Sequence, residues 1–238
     1  MTIAQQRVFL TAEWKNLLML NYVVDPALLE PFVPAGTLLD EFAGKTYVSL
    51  IGFEFNRTRV FERAIPFHQS FEEVNLRFYV RREERRGVVF IRELVPKFAV
   101  AAIARIAYGE RYSSVPMSHR MERNNGCTSA KFSWGSGPGR CTISAQTTGD
   151  GYLPGEGSLA QFITEHYWGY ARQRDGGTVE YQVEHPQWRV SDATSARLAG
   201  DAQKYYGPGF ATALNEPPDS AFLADGSAVT VFTGLPIQ

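Results

Sequence analysis

Phe71–Arg105 reads FEEVNLRFYVRREERRGVVFIRELVPKFAVAAIAR, two apolar-alternating runs around a short charged turn. Side chains of a strand alternate between its faces. In the first run, Val74, Leu76, Phe78 and Val80 form one face and call for a core. The opposite face carries Phe71, Glu73, Asn75, Arg77 and Tyr79: an acid, an amide, a guanidinium and a phenol in one row. Such a row is either a solvated outer face or the wall of a polar-lined pocket. Arg82–Gly87 reads as a charged hairpin loop whose charges are solvated and whose glycine takes an unusual backbone angle. The second run, Gly87–Val95, is rich in β-branched residues and predicts a strand. Pro96 lacks the ladder donor and ends it.

Lys97 follows, at the start of an alanine-rich run over 97–107 that predicts a mostly buried helix. An amine is a nucleophile only when neutral. Lowering a lysine pKa from about 10.4 to about 7 takes roughly 4–5 kcal/mol. Desolvation by Val95, Phe98 and the alanines supplies an energy of that kind, and Arg92 adds like charge. The plain alternative is a surface lysine whose stem lies over apolar neighbours.

Outward from this centre, Asn16–Val24 predicts a buried strand. Asp25 caps a short helix over Pro26–Val33, with proline at its first position. Tyr47–Phe55 is a second strand, in which Gly52 marks a bulge or a close backbone approach. Arg57–Phe67 reads as loop. Tyr112–Met121, Cys127–Trp134 and Arg140–Thr148 are strands, the last two joined by Gly135–Gly139. That hairpin sets Cys141 near Phe132 or Ser133 and away from Cys127, so no disulfide is expected; the two cysteines also lack zinc or redox spacing. Thr164–Tyr170 and Thr178–His185 form a further hairpin. It sets His166 on a face with Glu184 and Glu165 with His185, as two cross-strand pairs or as part of a metal site completed by His68 or His119. Asp201–Tyr206 is a helical turn, and Asp225-Gly226 a hairpin turn before a final strand.

The composition, 44% hydrophobic and 13% aromatic over 238 residues, supports one large core, and no linker-like tract divides it. We expect a single domain over 1–238. A net charge of −1 gives no pull toward nucleic acid or anionic membrane. No run approaches the roughly 20 apolar residues of a membrane span, and the N-terminus lacks a signal-type apolar stretch; a cytoplasmic protein is expected. No phosphate loop, nucleophile elbow, metal or cofactor motif is seen.

Trp14–Pro26, Phe71–Arg82, Gly87–Lys97, Phe162–Tyr170 and Glu180–Val190 resemble bacterial proteins of domain-of-unknown-function family 2071, also called YqjF-like. That family is remotely similar in fold to acetoacetate decarboxylase. The resemblance implies an α+β, mainly antiparallel β fold, a barrel-like sheet with short peripheral helices. It sets Lys97 on the Schiff-base lysine and Glu73 on the pocket glutamate, and Phe98 where the decarboxylases carry a second lysine. Three functions follow. One is a pocket for a small carboxylate-bearing molecule, in a binding or sensing role, with Arg77, Asn75, Tyr79 and Arg92 as contacts. The second is a lyase acting on a small keto acid through Lys97 and Glu73. The third is a ligand-free homo-oligomeric scaffold.

Overall fold

Leu17, Leu18, Met19 and Leu20 are four successive residues buried to within 2% of full exclusion from solvent, so the strand that carries them is covered on both faces. This strand is β1 (Val8–Val24). The structure, a computed structural model, describes residues 6–64, 69–96 and 112–237. The alanine-rich run over 97–107, Lys97 and His68 lie outside the described residues.

After β1 come helix α1 (Pro26–Leu29), capped by Asp25, which accepts a hydrogen bond from the Ala27 amide, and a 3-10 turn over Glu30–Phe32. Together they fill the helix expected over Pro26–Val33. Then follow β2 (Leu38–Leu39), β3 (Thr46–Val60), β4 (Arg63–Ala64), β5 (Phe71–Arg82), β6 (Arg85–Val95), β7 (Tyr112–Ser114), β8 (Met117–Asn124), β9 (Cys127–Trp134) and β10 (Cys141–Thr148). Helix α2 (Leu159–Thr164) precedes β11 (Trp168–Arg172), β12 (Thr178–Glu184) and β13 (Val190–Ala199). Helix α3 (Gln203–Leu214), β14 (Ser220–Phe232) and β15 (Leu235–Ile237) complete the described order.

The strands run β12-β11-β6-β5-β3-β1-β14, and β14 pairs back with β12 to close a ring. The ring is irregular. Val183 and Glu184 alone make the β12–β14 closure, and β11 meets β6 in parallel over two residues. From β14 a wing of β13, β10, β9 and β8 folds over the outside. The fold is thus mainly antiparallel β with few short helices. No helix among the described residues is long and apolar enough to cross a membrane.

Two cores result. Met19, Ile51, Phe53 and Phe71 fill the ring interior. Leu18, Leu20, Leu50, Leu76 and Phe78 pack outward against Phe132, Trp134 and Ile143 of the wing and Tyr206 and Phe210 of α3. Gly52 sits at that contact. A Cβ there would lie 2.7 Å from Phe132 Cγ and 3.0 Å from Ile143 Cδ1, the close approach its place in a strand implies.

Three expectations change. Asp225-Gly226 is no turn: β14 runs straight through it, and Gly226, with φ +82°, pairs with Lys15 beside the left-handed Asn16 of β1. A Cβ at Gly226 would fall on the Trp14 carbonyl, so glycine there allows the close approach of β1, which bulges against β3 between Lys15 and Leu18 while its register with β14 runs on unbroken. The segment after Arg57 is strand as far as Val60, where Leu10 of β1 still offers a partner. The charged hairpin shrinks to Glu83-Glu84, with Glu83 at φ +53°, and its arginines are not simply solvated. Arg85 and Arg82 both meet the buried Glu180, at 2.6 and 3.8 Å, and Arg86 meets Asp40 at 2.7 Å. Gly87 is ordinary strand, kept small by the ring of Tyr170. Cys141 pairs with Trp134 and Cys127 with Thr148, and both thiols are free.

Candidate functional site

The polar row of β5 faces inward. Glu73, Asn75 and Arg77 are 2%, 3% and 9% exposed and line a cavity of about 120 Å³ inside the ring. Asn75 donates to Glu73 Oε1 at 3.0 Å. Arg77 donates through Nη2 to the Ile163 carbonyl at 3.0 Å. Its Nε makes no hydrogen bond and no carboxylate lies within ion-pair distance among the described residues. The rest of the wall is largely aromatic: Trp14, Phe53, Phe55, Phe71, Phe90 and Trp188 among others.

Arg92 is absent from that wall. Its Nε donates to the Tyr205 carbonyl at 3.3 Å and its Nη1 to Ser113 at 3.2 Å, pinning α3 and β7 to the outer face. The cause is a bulge. Arg77 pairs with Phe90 but Leu76 pairs with Arg92, so Ile91 is the extra residue, and a one-residue slip reverses every later side chain. Strict alternation from Val88 and Phe90 sends Arg92 inward; the bulge sends Glu93 instead. Glu93 is buried, lines the cavity and, like Glu73, has interaction partners.

Tyr79 continues the row but lies beyond the cavity, packed between Phe162 and His166. Its hydroxyl is 2.5 Å from Ser49 Oγ. Ser49 gives its own proton to Asn21 Oδ1, and Asn21 donates to Ser220. Tyr79 is therefore the donor to Ser49, and its proton is committed to a chain that crosses β3, β1 and β14.

His166 and His185 also line the cavity, and here the cross-strand expectation fails. The pairing of Trp168 with Gln182, extended two residues, would set His166 opposite Glu184. Instead the chain leaves α2 just before it, with Glu165 as C-cap, and turns His166 inward. Its Nε2 is 3.9 Å from Asp40, and neither ring nitrogen makes a hydrogen bond among the described residues. Burial, with the charges of Arg86 and Arg77 adding, pushes its pKa down to about 4, so the ring is neutral near pH 7. Glu165 accepts from Gln187 and Gln161. His185 stacks on Trp188 with centroids 4.1 Å apart, and its Nδ1 donates to the Pro186 carbonyl; burial lowers its pKa too. His119 lies elsewhere, bridging Glu54 and Glu72 at 3.2 and 2.9 Å. No group of three or more histidine, cysteine or acidic side chains among the described residues could hold a metal.

A chain with this ring and this inward polar row matches, over residues 11–228, the model of DUF2071, an uncharacterized conserved protein family. The chain belongs to DUF2071. A curated relative, the uncharacterized protein YqjF of Bacillus subtilis (strain 168), is 31% identical over 78 residues; the match covers 32% of this chain and 32% of YqjF. Among solved structures, the acetoacetate decarboxylase of Legionella pneumophila subsp. pneumophila str. Philadelphia 1 is similar over 99% of this chain and 90% of its own, at TM-score 0.69 and 11% identity. The enduracididine biosynthesis enzyme MppR complexed with pyruvate is similar over 99% and 92%, at TM-score 0.69 and 11% identity. Another MppR structure, similar over 99% and 92% at TM-score 0.69 and 12% identity, holds the condensation product of pyruvate and imidazole 4-carboxaldehyde. At these identities the likeness establishes the acetoacetate decarboxylase-like fold of this DUF2071 member.

Proposed function

We propose that the ring cavity binds a small molecule through its carboxylate, in a binding or sensing role. The observation that carries this reading is Arg77. A buried cation without a counter-ion costs several kcal/mol; among the described residues Arg77 meets one carbonyl and the ring of Tyr79 and has no carboxylate within ion-pair distance, at a largely apolar cavity. A ligand carboxylate meets that guanidinium in the bidentate way to which it is suited. Asn75 adds an amide beside it. Apolar walls with a few convergent polar groups are the usual makeup of a small-molecule site. The similar MppR holds a keto acid, which supports the same chemical class. A cytoplasmic setting without nucleic-acid partners belongs to this reading, in keeping with the balanced charge.

A second reading, imine chemistry on a keto acid at Lys97 with Glu73 as the acid–base group, is favoured by the burial of Glu73 in the cavity wall and by the acetoacetate decarboxylase-like fold. One experiment separates them. Pyruvate, acetoacetate and propionate are titrated calorimetrically into the wild type, Arg77→Gln and Lys97→Arg, and each mixture is then treated with borohydride and weighed. Carboxylate binding that falls at least tenfold in Arg77→Gln, with no reduced adduct, supports the first reading. Undiminished binding in Arg77→Gln overturns it. An adduct lost in Lys97→Arg moves the assignment to the lyase.

A further inference from the structure

Asn75 and Arg77 share the inward face of β5, two residues apart, which is about 7 Å along a strand. Both line the cavity. The amide of Asn75 has a fixed sense. Its Nδ2 donates to the Glu73 carboxylate at 3.0 Å, so Oδ1 is the end turned away from that acid. Oδ1 is buried and has no hydrogen-bond partner among the described residues. A bare buried acceptor is costly and calls for a donor. The groups around it are otherwise engaged. Arg77 gives Nη2 to the Ile163 carbonyl. Glu73, and Glu93 opposite Asn75 in the ladder, have interaction partners of their own. The space beside these groups is small: about 120 Å³, below the roughly 150 Å³ of an apolar cavity that takes up benzene.

We propose that the ligand is a short-chain 2-hydroxy acid, with its carboxylate on the Arg77 guanidinium and its hydroxyl donating to Asn75 Oδ1. The reach fits. The hydroxyl and carboxylate oxygens of such an acid are roughly 3 Å apart, and a hydrogen bond of about 2.8 Å at each end spans a gap of the order that separates two residues of a strand. A plain acid leaves Oδ1 bare. A keto acid of the same size turns a lone pair toward it in place of a proton. An ammonium on the same carbon would donate, but it sets a second buried charge against a neutral oxygen. Meeting an acceptor that is otherwise bare corresponds to about tenfold to a hundredfold in affinity. The inference rests on the carboxylate-binding reading, and the test separates the two.

Propionate, lactate (each enantiomer), 2-fluoropropionate, pyruvate and alanine are titrated calorimetrically into the wild type, Arg77→Gln and Asn75→Leu. Fluorine matches the hydroxyl in size and has no proton to donate. The expected result is one enantiomer of lactate binding at least tenfold tighter than each of the other four compounds. In Asn75→Leu that advantage disappears and propionate binding stays; in Arg77→Gln binding of every carboxylate falls at least tenfold. If Asn75→Leu does not fold, lactate against 2-fluoropropionate in the wild type answers the same question. Equal affinities for lactate and propionate, or 2-fluoropropionate as tight as lactate, overturn the hydroxyl assignment and leave the carboxylate reading standing. So does alanine or pyruvate binding as tightly as lactate. A lactate advantage that persists in Asn75→Leu overturns the role given to Asn75. Undiminished binding in Arg77→Gln, or no binding by any of the compounds, overturns both readings.

Discussion

The imidazole of His166 packs on the phenol ring of Tyr79, centroids 4.6 Å apart and planes tilted by 33°. Tyr79 hands its proton away from this contact, to Ser49. The face offered to His166 is apolar, and burial holds the imidazole neutral.

That neutrality has a stability signature. With a pKa of 6.5 when unfolded and about 4 when folded, His166 is neutral in both states above pH 7 and contributes no slope there. Between pH 6.5 and 4 the unfolded chain takes up a proton that the folded chain refuses, so stability falls with pH, by on the order of 3 kcal/mol in all. His185, also lowered by burial, adds in the same sense. The His166→Phe variant keeps the ring stack and cannot titrate. Urea midpoints measured at pH 7 and 4.5 should fall less in the variant than in the wild type. Equal slopes would show that His166 ionises freely in the fold.

Arg77→Met trades a buried cation that has no ion pair among the described residues for an apolar chain of similar reach. Without ligand the variant should be as stable as the wild type or up to about 2 kcal/mol more stable, despite the lost bond to Ile163. Guanidinium unfolding of ligand-free protein measures this. A loss beyond about 2 kcal/mol would mean that the charge is part of the scaffold, which a site tuned for a ligand anion does not require.

Gly52→Ala drives a methyl group into the root of the Phe132 side chain. Overpacking of this kind costs about 1–3 kcal/mol. In a Phe132→Leu background the same substitution should cost less, because the partners touch and their effects do not add. Thermal unfolding of the four proteins gives the coupling, and strict additivity would argue against the contact.

Glu180 is a buried carboxylate held by two arginines of unequal reach, Arg85 at 2.6 Å and Arg82 at 3.8 Å. Arg85 is about half exposed, so screening limits the loss; Glu180→Gln should cost about 1–3 kcal/mol. Arg85→Gln should cost more than Arg82→Gln, which leaves the closer partner in place. The reverse order in denaturant midpoints would reassign the anchor.

What could be read from the chain depended on whether a residue's setting was local. The Asp25 cap, the Gly135–Gly139 turn, the strand Cys127–Trp134 and the inward-capable row of Glu73, Asn75 and Arg77 follow from spacing of a few residues. Alternation cannot tell inside from outside when both faces are covered, which is why the row could equally be read as solvated. It also cannot see one extra residue, so the bulge at Ile91 exchanged Arg92 for Glu93. The Glu-His dipeptides were visible, but their fate was set by where α2 ends and by Asp40, far away in sequence. Asp25 and Asp225 look alike beside a proline or a glycine. Only the long-range neighbour Trp14 shows that Gly226 is a close approach inside a strand and not a turn.

The pairing of Val8 with Phe232 also has a meaning in time. At roughly 5–20 residues per second, a ribosome needs on the order of ten seconds or more after making β1 to finish β14. Through that interval the wall from Leu17 to Leu20 has β3 on one side and nothing on the other. A nascent chain of this topology carries an open apolar edge until its synthesis is nearly done, and contacts this distant in sequence close slowly. The moment at which the ring can close is therefore set by which strands are neighbours and not by how stable the finished protein is.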